Sequence, residues 1–428
     1  MSTDYVWSFN TSNAMQLVSR NNNGVVSNDI SGNSDIDSSG RYIVFESEAT
    51  NLTSLATTFN RQHVYRKDTV TGEVLLVSSD ASGLVEANKR SANPAISSNG
   101  RYVVFDSTAD NLDVVINSNG ISQIYLKDMD DNSIDLVSRD VTLSPDNSFA
   151  GATKAKVSDD GLRILFQSSD NYPPAIDGGG ITQIYLKNMV DESVQMISRN
   201  AMNVAGDGTS ANADMSTDGQ HIVFESSAPN FLATNGVNNI YYVDANAATH
   251  SVEQISLRSA AEEANAASNN PSISDDGSMV VFDSKASNLD DFDNNGVTDV
   301  FLHYRPLAFT KLASANPSTN NSGNDASSNA KISGDANYVT FESLASDLIL
   351  VDVLGAKDIF IRDLTTLPLI TIVRLNNPES GNEATSDSNS PAISTDGRYI
   401  SFHTKEKMTL DDDNTLFDVF RVNNSTHP

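Results

Sequence analysis

The run DFDNNGVTD, from Asp291 to Asp299, sets three carboxylates and two amides around Gly296. Oxygen donors at loop positions 1, 3 and 5, a glycine at 6 and a carboxylate at 9 match the opening of a calcium-binding loop, where a hard cation needs converging oxygens and a sharp bend. The match stops there. An EF-hand carries a bidentate glutamate at position 12, where this chain has Leu302 within VFLHY, a run of strand-forming residues. The expectation is a loop that leads into a sheet, with Asp291, Asp293, Asn295 and Asp299 as candidate calcium ligands. The alternative is a polar loop braced by Asx turns.

A second constellation recurs. Three residues before the last apolar residue of a repeated short strand stand Asn33, Asn93, Lys154, Asn212, Asn270, Asn329 and Ser390. Side chains two apart on a strand share a face, which groups these with Asp35, Ala95, Lys156, Asp214, Ser272, Lys331 and Ala392. An amide both donates and accepts hydrogen bonds, which suits a sugar hydroxyl or a peptide backbone. Asn33, Asn93, Lys154, Asn212, Asn270 and Asn329 are therefore candidate ligand-binding residues. Asparagines that satisfy backbone groups of neighbouring repeats are the competing explanation. A third set follows a shared phenylalanine: Glu46, Asp106, Gln167, Glu225, Asp283, Glu342 and His403. Sevenfold recurrence points there to a repeated structural hydrogen bond, and His403 breaks its pattern.

Catalysis of a hydrolase or lyase type needs a convergent base, an acid and a cation for a substrate carboxylate. The histidines, His63, His221, His250, His303, His403 and His427, fall in different repeats, and neither a G-x-S-x-G elbow nor a zinc-spaced histidine motif occurs. His303, Tyr304 and Arg305 form the most suggestive cluster, on a strand expected to face away from a central channel.

The elements that position these residues follow from self-similarity. Segments such as IDSSGRYIVFES from Ile36, ISSNGRYVVFDS from Ile96 and ISTDGRYISFHT from Ile393 occur seven times, their phenylalanines, Phe45 to Phe402, 58 to 61 residues apart. Each holds a strand, a tight turn and a second strand; SQIYLKD and SIDLVSR, or their like, supply two more. Such a four-stranded antiparallel meander cannot bury both faces alone, so neighbours must stack around a ring. The expectation is an all-β, seven-bladed β-propeller occupying residues 1–428 as one domain. The chain ends in DVFRVN, a third strand lacking its fourth, and begins with AMQLVSR, a fourth strand lacking its first three; their pairing would close the ring. YVWSF at Tyr5 has no slot in this scheme.

The turn and strand S-x-D-G-R-Y-x-x-F, the N-L at Asn51, Asn111 and Asn288, and the D-x-N-G-x-x-D loop resemble the WD-like propeller repeat of TolB-type proteins and of many bacterial secreted proteins, over roughly the whole chain. The resemblance implies a propeller in a secreted, periplasmic or cell-surface bacterial protein. Seven blades depart from the six usual in TolB, and its accessory α/β domain has no counterpart here, so its envelope partners are not carried over.

Composition narrows the function further. With 56 acidic against 27 basic residues and a formal charge of −29, the chain repels phosphate backbones and anionic lipids, so nucleic acid is not an expected partner. It has no cysteine for disulfides or thiolate metal sites, no apolar run of membrane-spanning length and no signal-peptide pattern in MSTDYVWSFN. Short turns fall on one side of the ring and the long loops on the other, the side where binding residues concentrate. The expectation is a non-catalytic extracellular binding module, a monomer or part of a larger protein, offering its long-loop face and channel mouth to a protein or glycan, with calcium as a stabilising ion. A polysaccharide lyase or glycoside hydrolase with its site at the channel mouth is the alternative.

Overall fold

The computed structural model describes residues 15–427 apart from 56–60, 114–119, 140–150, 173–175, 260–261, 351, 353, 366–370 and 382. YVWSF, at 5–9, lies outside them. The strands form seven four-stranded antiparallel sheets, the blades of a β-propeller, and a two-stranded ribbon, Leu257–Ser259 with Glu262–Glu263, between blades 4 and 5. The innermost strands of blades 1 to 7 are Ser31–Ile36, Ser91–Ile96, Ala152–Val157, Ser210–Met215, Ser268–Ile273, Ser327–Ile332 and Ser388–Ile393. Blade 7 is completed from the other end of the chain: Gln16–Leu17 pairs with Asp418–Asn423, Gln16 opposite Arg421 and Leu17 opposite Phe420. The expected closure is thus the observed one.

The conserved spacing of the repeat reflects cross-strand packing. Every shared phenylalanine stands opposite an aromatic of the third strand, as Phe45 with Tyr65 at 5.8 Å between ring centres and Phe402 with Phe420 at 6.1 Å. These buried pairs alternate with aliphatic residues and form cores shared between neighbours; Ala392 and Val419 of blade 7 join the blade 1 cluster. Tight turns lock one blade onto the next. At Gly100, φ is 76° and a Cβ would meet the Tyr42 ring of blade 1 at 2.4 Å, so glycine is needed both for the left-handed backbone and for the close approach.

The start of the third strand carries a second sevenfold lock. His63, Gln123, Gln183, Asn239, Asp299, Asp358 and Asp418 each meet a fourth-strand hydroxyl or amide, and that group also accepts the next backbone N–H; Ser314 Oγ donates to Asp299 at 2.7 Å and accepts from Val300 N at 3.1 Å. Asp299, read from the sequence as a candidate cation ligand, therefore occupies a position that every blade uses to fasten its outer strand.

Candidate functional site

Each inner strand bulges at the asparagine position. Gly32 pairs with Glu46 and Asp35 with Val44, leaving Asn33 and Ser34 opposite Phe45, and the same shift recurs in all seven blades. Asn33, Asn93, Lys154, Asn212, Asn270, Asn329 and Ser390 all lie in the left-handed region, φ between 46 and 55°. Asparagine tolerates that conformation better than most residues, which is one local reason for its recurrence. The other is the adjacent ring of acids and amides. Asn270 Nδ2 donates to Asp283 Oδ2 of its own blade at 2.9 Å, and Asn270 N donates to Glu225 Oε2 of the preceding blade at 2.8 Å. Asn33, Asn93, Asn212 and Asn329 donate their amides in the same way to Glu46, Asp106, Glu225 and Glu342. All seven blade junctions carry the backbone bond, including Lys154 to Asp106, Ser390 to Glu342 and Asn33 to His403 Nδ1.

The six candidate ligand-binding residues thus lie around the central channel, the Nδ2 groups of the five asparagines committed to the blades. Several amide oxygens accept from the preceding blade around the ring: Asn93 Oδ1 from Asn33 Nδ2, Asn270 Oδ1 from Asn212 Nδ2, and Asn212 Oδ1 from the Lys154 ammonium.

The channel encloses about 410 Å³. Below the amide ring it holds Asp35, Lys156, Asp214 and Lys331 at the next inward-facing position, where other blades have alanine or serine. Among the described residues neither ammonium forms an ion pair within 4 Å. Burial works against the Lys156 charge, but Asp35 and Asp214 outweigh it and hold its pKa above the usual lysine value. Lys331 is desolvated and also feels Lys156, so its pKa falls. With Lys154 at the mouth and Asp159 and Asp275 towards the other end, the channel lining carries three ammonium groups and four carboxylates. Among the described residues, no histidine, tyrosine or arginine lines the channel.

The histidines are bound into the blades. His303 Nδ1 lies 2.9 Å from Thr310 Oγ1, and burial pushes its pKa down to about 4. Arg305 beside it packs on the Tyr242 ring and pairs with Glu253 at 2.7 Å, clamping blade 5 to blade 4. His403, behind the channel mouth, is likewise lowered to about 4 by burial.

The acidic loop is only partly assembled as expected. Asp291 turns outward to Arg258 on the ribbon, 2.7 Å away, because an exposed carboxylate finds a mobile guanidinium more cheaply than a crowded acidic pocket. Asp293, Asn295 and Asp299 stay together: Asn295 Nδ2 donates to Asp299 Oδ2 at 2.7 Å and to Gly323 O at 2.7 Å. The same bracket joins Asn235 to Asn239 and Ala264 O in blade 4. Sequence reading missed the most concentrated acidic group, in blade 6, where Asp352, Asp358 and Glu383 surround Arg374 Nη1 at 3.8, 3.2 and 3.1 Å. Its signal was present in the repeat: Arg374 stands where the other fourth strands have Leu17, Leu76, Leu136, Met196, Gln254 and Leu312.

Neither a protein-family model nor a curated protein matches the chain. Among solved structures it is similar to an oligogalacturonate lyase from Vibrio parahaemolyticus, with 8% identity and a TM-score of 0.56 over 96% of this chain and 97% of that one. It is similar also to an oligogalacturonate lyase in complex with manganese, with 9% identity and a TM-score of 0.54 over 96% of both chains. TolB from Acinetobacter baumannii shares 18% identity at a TM-score of 0.40, and the match spans 69% of this chain but only 62% of that TolB. At these identities the two lyase likenesses establish a common β-propeller fold and nothing narrower.

Proposed function

We propose that the protein is a non-catalytic binding module of the bacterial periplasm, cell surface or exterior, and that it takes a protein partner on its long-loop face around the channel mouth. The observation that carries this reading is where large apolar side chains remain in water. Among the described residues the loops between second and third strands, all on this face, leave Leu232, Phe292, Leu350, Leu354 and Leu410 exposed, Leu350 and Leu410 at 100% and 85%. The outer rim and the opposite face carry others singly, Leu84 and Met202 on crossover hairpins that close on the third-to-fourth-strand turns of the next blade, and Val70, Val190 and Leu307 at turn tips. Apolar groups gathered on one rigid face mark an interaction surface. An aliphatic rim buries well against another protein, whereas a sugar brings hydroxyls that it leaves unpaired.

The channel supports binding over chemistry, since among the described residues neither histidine, tyrosine nor arginine lines it and the described histidines are engaged in contacts within or between blades. A second reading, a lyase or hydrolase acting on an acidic saccharide, draws on Lys156 and Lys331, whose ammonium groups would neutralise a sugar carboxylate.

The test is a proximity cross-linking experiment in the source bacterium with wild type, a Leu232→Asp/Leu350→Asp/Leu410→Asp variant and a Val70→Asp/Val190→Asp control. A protein captured by wild type and control but lost with the triple variant supports the reading. A partner that survives the triple substitution, or cleavage of acidic oligosaccharides by wild type that Lys156→Gln and Lys331→Gln abolish, overturns it.

A further inference from the structure

Blades 5, 6 and 7 share a pair of aspartates that the other blades lack. One comes from the loop between second and third strands and the other opens the third strand: Asp293 with Asp299, Asp352 with Asp358, Asp412 with Asp418. In blade 6 the pair is neutralised from within. Arg374, opposite Phe360 on the fourth strand, brings its guanidinium to both aspartates and to Glu383. The residue in register with Arg374 is Leu312 in blade 5, opposite Phe301, and Leu17 in blade 7, opposite Phe420. The acids are kept in those two blades and the internal cation is not.

We propose that blades 5 and 7 each bind a divalent cation of calcium type between these aspartates, in the slot that blade 6 fills with Arg374.

Two oxygen atoms point to it independently of the acidic grouping. Asp293 Oδ1 and Asp418 Oδ2 are buried without a hydrogen-bond partner, on residues only 7% and 0% exposed. Asp412, facing Asp418, is 3% exposed. A buried carboxylate oxygen with no donor is costly, and a second carboxylate beside it raises the cost, so the pair must gain a proton or a cation. Nearby ammonium groups do not fill the role. Lys311 lies 3.7 Å from Asp290 rather than at Asp293, and Lys407 acts on Asp412 without forming an ion pair.

The donors at hand are oxygens: the carboxylates and the amide oxygens of Asn295 and Asn414 on the same loops. Such sets select hard cations over zinc or copper. The sites differ from the loop expected from sequence in leaving out Asp291 and in adding blade 7. They are independent of the partner reading, because they lie within blades and their test needs no partner.

Calcium titration of chelator-treated protein, followed by calorimetry and thermal melting, tests the proposal. Wild type should bind two ions, each raising the melting temperature by about 3 °C at a hundredfold excess over Kd. Asp293→Asn and Asp412→Asn should each remove one ion and the double variant both, without lowering the melting temperature measured in chelator. Leu312→Arg, which copies the blade 6 arrangement into blade 5, should also remove one ion. Absence of calcium uptake by wild type, or calcium retained by the double asparagine variant, overturns the proposal.

Discussion

His403 occupies a position where six other blades place Glu46, Asp106, Gln167, Glu225, Asp283 and Glu342, and it performs the same task by accepting Asn33 N through Nδ1. That role needs a neutral ring, and burial, opposed only in part by the Glu342 charge, depresses its pKa to about 4. The folded value lies below the unfolded one of about 6.5, so the unfolded chain binds the proton more readily in that window and stability falls as pH drops from about 6.5 to 4. His403→Gln, the residue that blade 3 uses, should abolish this component. Urea unfolding at pH 7 and pH 4.5 would then show wild type losing up to about 3 kcal/mol more than the variant on acidification. Asp299 works in the other direction. Its folded pKa of about 7 lies above the unfolded value, so its protonation adds stability as pH falls from 7 towards 4. Only the difference between the two proteins isolates the histidine.

The inner strand is built around its left-handed bulge, and the asparagine there joins backbone geometry to a side-chain bond that faces the acid ring. Asn270→Ala keeps neither: alanine resists φ near 50° and leaves Asp283 without its amide donor. It should cost about 3 kcal/mol, while Asn270→Gly, which restores the backbone freedom but not the donor, should cost about 1–2 kcal/mol. The comparison is read from urea midpoints. Equal losses for the two would mean that the amide bond carries the whole effect and the bulge carries none. The recurrence of asparagine was plain in the sequence. Its left-handed backbone was not, because an alternating strand pattern gives no sign of a bulge until the register with the second strand is known.

The ring is held shut by Gln16–Leu17, by Val18 N donating to Val419 O at 2.8 Å, and by Ser19 and Ser27 hydroxyls on Asp418 Oδ1 at 2.5 and 2.7 Å. Repeat proteins share stability between neighbours, so damage at the seam should spread first to the blade it completes. Leu17→Asp places a carboxylate at a buried site opposite Phe420. Hydrogen exchange should then quicken at least about tenfold in Asp418–Asn423 and stay slow in Gln183–Asn188 of blade 3. Uniform loss of protection around the ring would instead mean that the propeller unfolds as one cooperative unit.

Sequence alone determined the number of blades, the order of strands within each, the seam between the two chain ends and the face that carries the long loops. All of these follow from short-range periodicity: alternation, turn residues and a repeat interval are local properties of the chain. Tertiary structure decided which charges meet. Arg374 reaches Asp352 across the blade, Asp291 leaves its loop for Arg258, and Asp35, Lys156, Asp214 and Lys331 come together in the channel from four different blades. Those encounters depend on residues far apart in the chain being brought to within a few ångströms, and on burial that removes water from between them, neither of which a repeated motif records.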